Sequence, residues 1–265
     1  MKSKTIKWIV CICVATLIGY CTMDYARQLR NSYLSASLVK AIKVKDVAVT
    51  ALLLKQGANP RTRFSTEETH FGLRSYLQSL LQSPLKTTAD QTSVLVEAVG
   101  TLQPETVKLL LEYGADLDPL AVQYSAQLRS ATILRMFLAK GINVNLANAD
   151  GRTLLMAAAN SRSTECIDAI ITHGASVNDR DKNGCTALLF AASSGCEKCV
   201  RTLLAHGADP RIGSKADKTD ITALHAAQST GTPAIVFLLQ KALHSKRAVL
   251  DNDHKVEMGP STTRP

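Results

Sequence analysis

The chain has 265 residues, of which 46% are hydrophobic and 20% charged, so it is long enough for one or two domains and too apolar to be wholly disordered. Aromatic residues make up only 5%, with one tryptophan, so alanine and leucine must supply most of the core. Seven cysteines are too few, and odd in number, for a scaffold held together by disulfides.

The formal net charge of +9 raises the question of a nucleic-acid partner, and its distribution argues against one. Nearly half of the excess lies within residues 1–30, and the other lysines and arginines are scattered along the chain. A surface that binds DNA or RNA concentrates its cations in one patch or stripe. We therefore expect no nucleic-acid partner.

Residues 1–30 are typical of a membrane segment. Three lysines among the first seven residues precede an uncharged run, Trp8–Met23, which is slightly short for a spanning helix and slightly long for the core of a cleaved signal peptide. The positive N-terminal side predicts a signal-anchor with a cytoplasmic N-terminus and an exported, periplasmic remainder. The alternatives are a signal peptide cleaved after Cys21, which gives a periplasmic or secreted protein, a lipid on Cys21, and an apolar helix of a cytosolic protein.

Two stretches that begin at Gly151 and Gly184 are similar to each other with a spacing of 33 residues and no gap. The equivalent pairs include Thr153 and Thr186, Ala158 and Ala191, Cys166 and Cys199, and Gly174 and Gly207. Each unit predicts a turn, a short helix, a loop and a longer helix, because apolar residues recur at helical spacing. The threonines are suited to cap the first helix, and the glycines to end the second.

These units resemble the ankyrin repeat, whose pattern is roughly D-x-x-G-x-T-P-L-H-x-A-A followed by L-L-x-x-G-A-D-x-N. The matching residues are Asp150, Gly151, Thr153, Leu155, Ala158, Gly174, Ala175 and Asn178, then Asn183, Gly184, Thr186, Leu188, Ala191, Leu203, Leu204, Gly207, Ala208 and Asp209. The proline of the pattern is absent, and its histidine is kept only at His225, in a third copy that starts at Thr222. The resemblance implies an all-α repeat solenoid that binds other proteins and is not an enzyme.

Weaker copies extend the predicted ankyrin domain over residues 31–244. We predict about six units, at residues 33–63, 90–118, 119–147, 148–180, 181–216 and 217–244, followed by a disordered tail at 245–265. An insertion, Arg61–Ser93, separates the first two units. Its leucines Leu73, Leu77, Leu80 and Leu81 share one helical face, so the insertion is predicted to cover the hydrophobic flank between these units or to bind a partner.

Cys196 and Cys199 form a C-x-x-C pair near the start of a predicted second helix. We favour packing, because Cys199 occupies the apolar position that Cys166 has one unit earlier and a free cysteine is a small hydrophobe. The alternatives are a thiol-redox pair, for which a helix N-terminus lowers the pKa of the first thiol, and a metal site, which lacks a second pair of ligands. Stacked helices stand too far apart for a disulfide between Cys166 and Cys199.

No motif for a catalytic, cofactor or metal site occurs, so the candidate functional residues are those of the predicted loop tips between units. They are Asn148, Ala149, Asp150, Arg180, Asp181, Lys182 and Arg211. The tips are expected to be exposed and to form a mixed-charge, slightly basic rim, which favours a polar or acidic protein surface as the partner. The predicted function is a membrane-tethered scaffold for protein binding; an exported thiol-redox or metal-handling protein and a cytosolic adaptor are the alternatives.

Overall fold

A computed structural model describes the chain at residues 2–65, 91–214 and 221–257, with side chains described for 23–64, 92–214 and 221–245. These parts contain twelve α-helices and two short β-strands. The helices are α1 (Lys2–Val44), α2 (Val47–Lys55), α3 (Val94–Gly100), α4 (Pro104–Glu112), α5 (Pro119–Gln127), α6 (Ala131–Ala139), α7 (Leu154–Asn160), α8 (Thr164–Thr172), α9 (Ala187–Ser193), α10 (Glu197–Ala205), α11 (Ala223–Ser229) and α12 (Pro233–Glu257). The strands are β1 (Arg63–Ser65) and β2 (Gln91–Ser93).

The chain divides after Asp118 into two compact units, which we call unit 1 (residues 1–118) and unit 2 (residues 119–265). Within unit 2 the first helices of successive pairs, α5, α7, α9 and α11, pack side by side. The second helices, α6, α8, α10 and α12, form a parallel row of neighbours. Each helix thus contacts its pair partner and the equivalent helix of the adjacent pair, which is the arrangement of a repeat protein.

The predicted helix ends are present in unit 2. The hydroxyl oxygens of Thr153 and Thr186 accept hydrogen bonds from the backbone N–H groups of Met156 and Leu189, both at 3.4 Å, which satisfies donors that a helix start leaves unpaired. Gly174 follows the second helix with φ +88°, a left-handed conformation that glycine adopts without a steric penalty.

Small residues on the first helices and branched residues on the second form the core of unit 2. Ala158 and Ala191 are fully buried, as are Ile167, Ile170 and Leu203. Alanine on the first helices allows their backbones to approach closely, and the larger side chains of the second helices fill the remaining space. Fully burying one such aliphatic side chain contributes about 1.5–3 kcal/mol. Most predicted core positions are confirmed here, but Ile171 and Leu204, which helical spacing also predicts to be buried, are only half-buried.

The helices confirm the predicted all-α repeat fold, to which unit 1 adds a short two-stranded ladder. β1 and β2 pair antiparallel in unit 1, with Arg63 opposite Ser93 and Ser65 opposite Gln91, so the two ends of the insertion Arg61–Ser93 form a two-stranded ladder. Ser93 also caps α3, since its hydroxyl oxygen accepts from the N–H of Val96. The leucine-rich face predicted within the insertion, including Leu73 and Leu77, lies outside the described residues.

The two chain ends contain the longest helices. α1 is continuous over 43 residues, and its last part, which includes the fully buried Leu38 and Ile42, packs on α2 and α3. The side chains of the predicted anchor lie outside the described residues, except Met23. In the described part of the chain, no helix is both long enough and apolar enough to cross a membrane.

At the other end, α12 continues to Glu257, so residues 245–257, which the sequence predicts to be disordered, are helical. No glycine or proline interrupts the chain between Ala234 and Glu257, so no helix breaker ends the helix that starts on a packed face. The polar composition that favoured disorder does not by itself stop a helix.

Candidate protein-binding surface

The first part of the candidate surface is the loop from Ala147 to Thr153, called loop A. Its two end residues form an isolated antiparallel bridge. The side-chain oxygen of Asn148 accepts hydrogen bonds from the N–H groups of Asp150 and Arg152, both at 2.9 Å. Asn148, Ala149 and Asp150 are exposed, as predicted for a loop tip. Asn148 therefore shapes the loop and faces solvent at the same time.

The equivalent loop from Arg180 to Thr186, called loop B, uses an aspartate in the same way. Asp181 Oδ1 accepts from the N–H groups of Asn183 at 3.0 Å and Cys185 at 2.8 Å. The Asp181 side chain is only 1% exposed, and its Oδ2 lies 3.8 Å from Nε of Arg152. Asp181 was predicted to be an exposed residue that contacts the partner. That expectation is wrong, because the carboxylate is turned inward to hold its own loop.

The loops are joined to one another by the main chain. The N–H of Lys182 donates to the carbonyl of Asp150 at 3.0 Å, so loop B lies directly against loop A. Gly151 sits at this contact with φ +76°, and a Cβ there would be 3.0 Å from the Lys182 nitrogen. On its other side, loop B receives a hydrogen bond at 2.6 Å from the Ser214 hydroxyl to the Asn183 carbonyl. The loop edges therefore form one connected surface in unit 2.

The three predicted basic residues differ in the hydrogen bonds and ion pairs that their side chains make. Arg180 is exposed, but Nη2 donates to the Gly213 carbonyl at 2.8 Å and Nε to the Gly184 carbonyl at 3.2 Å, so it ties loop B to the next junction. Arg211 pairs with Asp209 at 2.7 Å. Lys182 is exposed, and its side chain makes no hydrogen bond or ion pair within the described residues. Of the three predicted basic residues, Lys182 is the one whose charged group makes no polar contact within the described residues.

Beside loop A lies a groove of about 320 Å³ that the sequence analysis did not predict residue by residue. Loop A, the first helices α5, α7 and α9, and the residue that follows α7 line it. The lining residues are Gln123, Gln127, Asn148, Arg152, Met156, Ala157, Asn160, Ser161 and Phe190. Asn148 was among the predicted residues, whereas the other lining residues lie outside the predicted loop tips, most of them on the first helices.

Arg152 is the one charged residue among those that line the groove. Its guanidinium carbon lies 5.2 Å from the centre of the Phe190 ring, within the range of a cation–π contact. The carboxylate of Asp181 lies behind it at 3.8 Å. The guanidinium makes both contacts while 48% of the side chain stays exposed. The groove thus presents amides, an aromatic ring and one cation.

The C-x-x-C pair is bonded. Cys196 and Cys199 form a disulfide with their Cα atoms 5.3 Å apart. Cys199 is fully buried, as predicted, but the expectation that it packs there as a free thiol is wrong, because Cys196 lies within bonding reach at the N-cap of α10. Cys166 is free, and burial raises the pKa of its thiol. No group of potential metal ligands occurs among the residues that the structure describes.

Part of unit 2 matches a known protein family. Residues 120–214 match a family model described as ankyrin repeats, in three copies. The matched range contains loops A and B and every residue that lines the groove. No curated protein matches the chain.

Proposed function

Because the chain is an ankyrin repeat protein, we propose that it is a scaffold whose groove and adjoining loops in unit 2 bind another protein. Ankyrin repeats support a protein partner in general, since repeat arrays use extended surfaces for binding. The site is assigned to the groove and not to the loop tips alone.

The assignment of the binding site to the groove rests on the contacts of Arg152. A guanidinium held by Phe190 on one side and by Asp181 behind has little conformational freedom left to lose when a partner arrives. Preorganised polar groups of this kind give specificity at a low entropic cost. The amides of Gln123, Gln127 and Asn160 add donors and acceptors around it. A partner that offers a carboxylate or backbone carbonyls fits this lining.

Steric obstruction of the groove tests the assignment. Asn160→Arg places a long cation at the groove from the last residue of α7, which is exposed. Thr172→Arg is the matched control, because it introduces the same side chain at the exposed last residue of α8, outside the groove. In affinity capture with the full chain, Asn160→Arg should lose the partners that wild type and Thr172→Arg retain. Equal capture by all three would place the binding surface elsewhere.

Charge reversal at the loops separates recognition from folding. Lys182→Glu should slow association and alter its salt dependence with an unchanged melting temperature, because the side chain is exposed and unpaired among the described residues. Arg180→Glu should lower the melting temperature, because it removes the hydrogen bonds at 2.8 and 3.2 Å that join loop B to its neighbours. A Lys182→Glu variant that binds like wild type would remove loop B from the interface.

The insertion is the competing site. Ser65 and Gln91 are opposed in an antiparallel pair, so a two-residue Asn-Gly turn can connect them in place of residues 66–90. The shortened chain should capture the same partners, since the groove belongs to unit 2. If shortening abolishes capture and Asn160→Arg does not, the insertion is the binding element.

We also propose that Trp8–Met23 tethers the chain to a membrane with the repeats on the non-cytoplasmic side, a proposal that rests on the sequence of residues 1–30. Protease added outside intact cells or spheroplasts should digest the repeats, and the full-length chain should sediment with membranes. Complete protection would contradict the topology. A chain that is shortened and soluble outside the cytoplasm would indicate the cleaved signal peptide, and a full-length soluble chain inside it would indicate the cytosolic adaptor.

A further inference from the structure

The second helices α2, α8 and α10 each start with a side-chain cap, and in α10 the capping residue is Cys196. In α2 the cap is Asp46, and in α8 it is Ser163. The Ser163 hydroxyl oxygen accepts from the N–H of Cys166 at 3.4 Å. Cys196 Sγ accepts from the N–H of Cys199 at 3.2 Å, so a sulfur atom fills the same role 33 residues later.

Two helix pairs of unit 2 have a cysteine as the third residue of the second helix, Cys166 in α8 and Cys199 in α10, whereas α6 has Ile133 there. Of these helices, α10 also has a cysteine at its cap, where α8 has Ser163 and α6 has Ser130. Relative to α6, α10 therefore has two replacements by cysteine. Neither replacement improves the cap or the core, since a thiol is a weak hydrogen-bond acceptor and a small apolar group. Together the two cysteines form the Cys196–Cys199 disulfide.

We propose that Cys196 and Cys199 are a redox-active pair that undergoes thiol–disulfide exchange with an external dithiol, with Cys196 as the sulfur that is attacked. This activity is independent of the groove. Cys196 is half-buried and Cys199 is fully buried, so an incoming thiolate reaches Cys196 Sγ first. Access of this kind decides which sulfur of a disulfide is attacked.

The exchange balances in two steps. A thiolate of the donor attacks Cys196 Sγ, which forms a mixed disulfide and breaks the Cys196–Cys199 bond; the electron pair leaves on Cys199 Sγ, which takes a proton from solvent. The second thiolate of the donor then attacks the donor's own sulfur in the mixed disulfide, and Cys196 leaves as a thiolate and is protonated. The protein gains two electrons and two protons, and the donor becomes a disulfide.

The preceding helix pair shows why the same backbone conformation accommodates both the Cys196–Cys199 disulfide and the two free thiols. Cys166, at the position equivalent to Cys199, is a free thiol in a fully buried site, so this site of the fold accepts a reduced cysteine. Ser163 shows that a single acceptor atom at the cap suffices to start the helix. The disulfide closes a loop of only three residues' separation, and short loops gain least from a cross-link in the chain-entropy model. Reduction therefore leaves the helix and its packing in place.

Redox titration of the full chain tests the pair. The oxidised, folded protein is equilibrated with mixtures of reduced and oxidised dithiothreitol and quenched with acid. The free thiols are then alkylated with N-ethylmaleimide in neutral urea, so that the buried Cys199 is reached, and mapped by peptide mass spectrometry. Cys196 and Cys199 should become alkylated together along a two-electron curve, while circular dichroism and the melting temperature change little. The proposal is overturned if the pair stays oxidised unless urea is present during the equilibration, if reduction itself unfolds the chain, or if both thiols are already free in the untreated protein.

Two variants test which sulfur is attacked. Cys199→Ala leaves Cys196 as a free thiol, which should form a mixed disulfide with oxidised glutathione on the folded chain. Cys196→Ser reproduces the Ser163–Cys166 arrangement and is the matched control; it should fold like wild type, and its Cys199 should resist glutathione. A mixed disulfide on Cys199 in this control, or none on Cys196 in the first variant, contradicts the proposal.

Discussion

At the scale of single residues, the contact between loops A and B depends on the lack of a side chain at Gly151 and on the buried carboxylate of Asp181. Gly151 has no Cβ where the backbone of Lys182 passes, and Asp181 directs its carboxylate into its own loop. Both residues belong to the repeat pattern that the sequence shows, and both act on loop geometry. Their neighbours Ala149 and Lys182 are exposed.

Gly151→Ala should destabilise the chain by more than Gly174→Ala. Both glycines have positive φ, where an L-residue costs on the order of 1–2 kcal/mol. A Cβ at Gly174 meets nothing within 4 Å, whereas one at Gly151 comes within 3.0 Å of the backbone nitrogen of Lys182 and must push loop B away. Urea unfolding followed by circular dichroism measures the two losses. Equal losses would mean that the loop contact is not tight in solution.

Asp181→Ala should lower the free energy of unfolding by on the order of 1–3 kcal/mol, because two backbone N–H groups lose their acceptor. Asp181→Asn should lose clearly less, since Asn148 shows that an amide oxygen makes the same pair of hydrogen bonds in loop A. The same urea experiment compares them. An asparagine variant as unstable as the alanine variant would assign the stability to the Arg152 contact instead.

At the scale of the element, each short helix is stable because it is capped and because its neighbours cover it. Helices of seven and nine residues are too short to persist alone in water. α9 is covered by α7 and α11 in the row of first helices and by its partner α10. Burial of its leucine side chains is therefore the main source of its stability.

Leu188→Ala should reduce the free energy of unfolding by about 2–5 kcal/mol, the range for a large-to-small change in a packed core, because Leu188 is 1% exposed. Leu203→Ala, in α10, should have a similar effect. Leu146→Ala is the control, since that side chain is 52% exposed and its loss should change stability little. A loss at Leu146 as large as at Leu188 would show that the helix register assigned here is wrong.

At the scale of the whole molecule, the chain divides after Asp118 into two compact units, and we expect a perturbation in one unit to affect mainly that unit. In repeat proteins the stability of each part depends mainly on its own helices and on the adjacent ones. Units 1 and 2 each have their own row of packed helices and their own buried core.

Leu110→Ala, in α4 of unit 1, should raise hydrogen exchange in α3 and α4 and leave the protection of α9 and α10 close to wild type. Leu188→Ala, in unit 2, should give the reverse pattern. Mass spectrometry of peptic peptides measures both. A uniform rise along the chain in either variant would mean that the two units unfold as one cooperative body.

The sequence by itself determined the repeat, its period and its helix ends. Thr153, Thr186 and Gly174 act through local hydrogen bonds and φ preferences, and the buried positions follow from helical spacing, so neighbouring residues suffice to predict them. It did not determine the β1–β2 ladder, because a pairing of two three-residue segments about 25 residues apart leaves no periodic signal.

Only the tertiary structure decided which residues of unit 2 form the candidate site. Asp181 and Asn148 hold equivalent positions and make equivalent hydrogen bonds, yet one is buried and the other exposed, because the neighbouring loop and Arg152 cover Asp181 alone. The groove needs α5, α7 and α9 side by side before Gln123, Arg152 and Phe190 meet. The Cys196–Cys199 bond likewise depends on a cap conformation that brings a sulfur over the first turn of its own helix. Spacing along the sequence predicts to which helix or loop a residue belongs. Tertiary packing decides which of these residues contact each other or line the same groove.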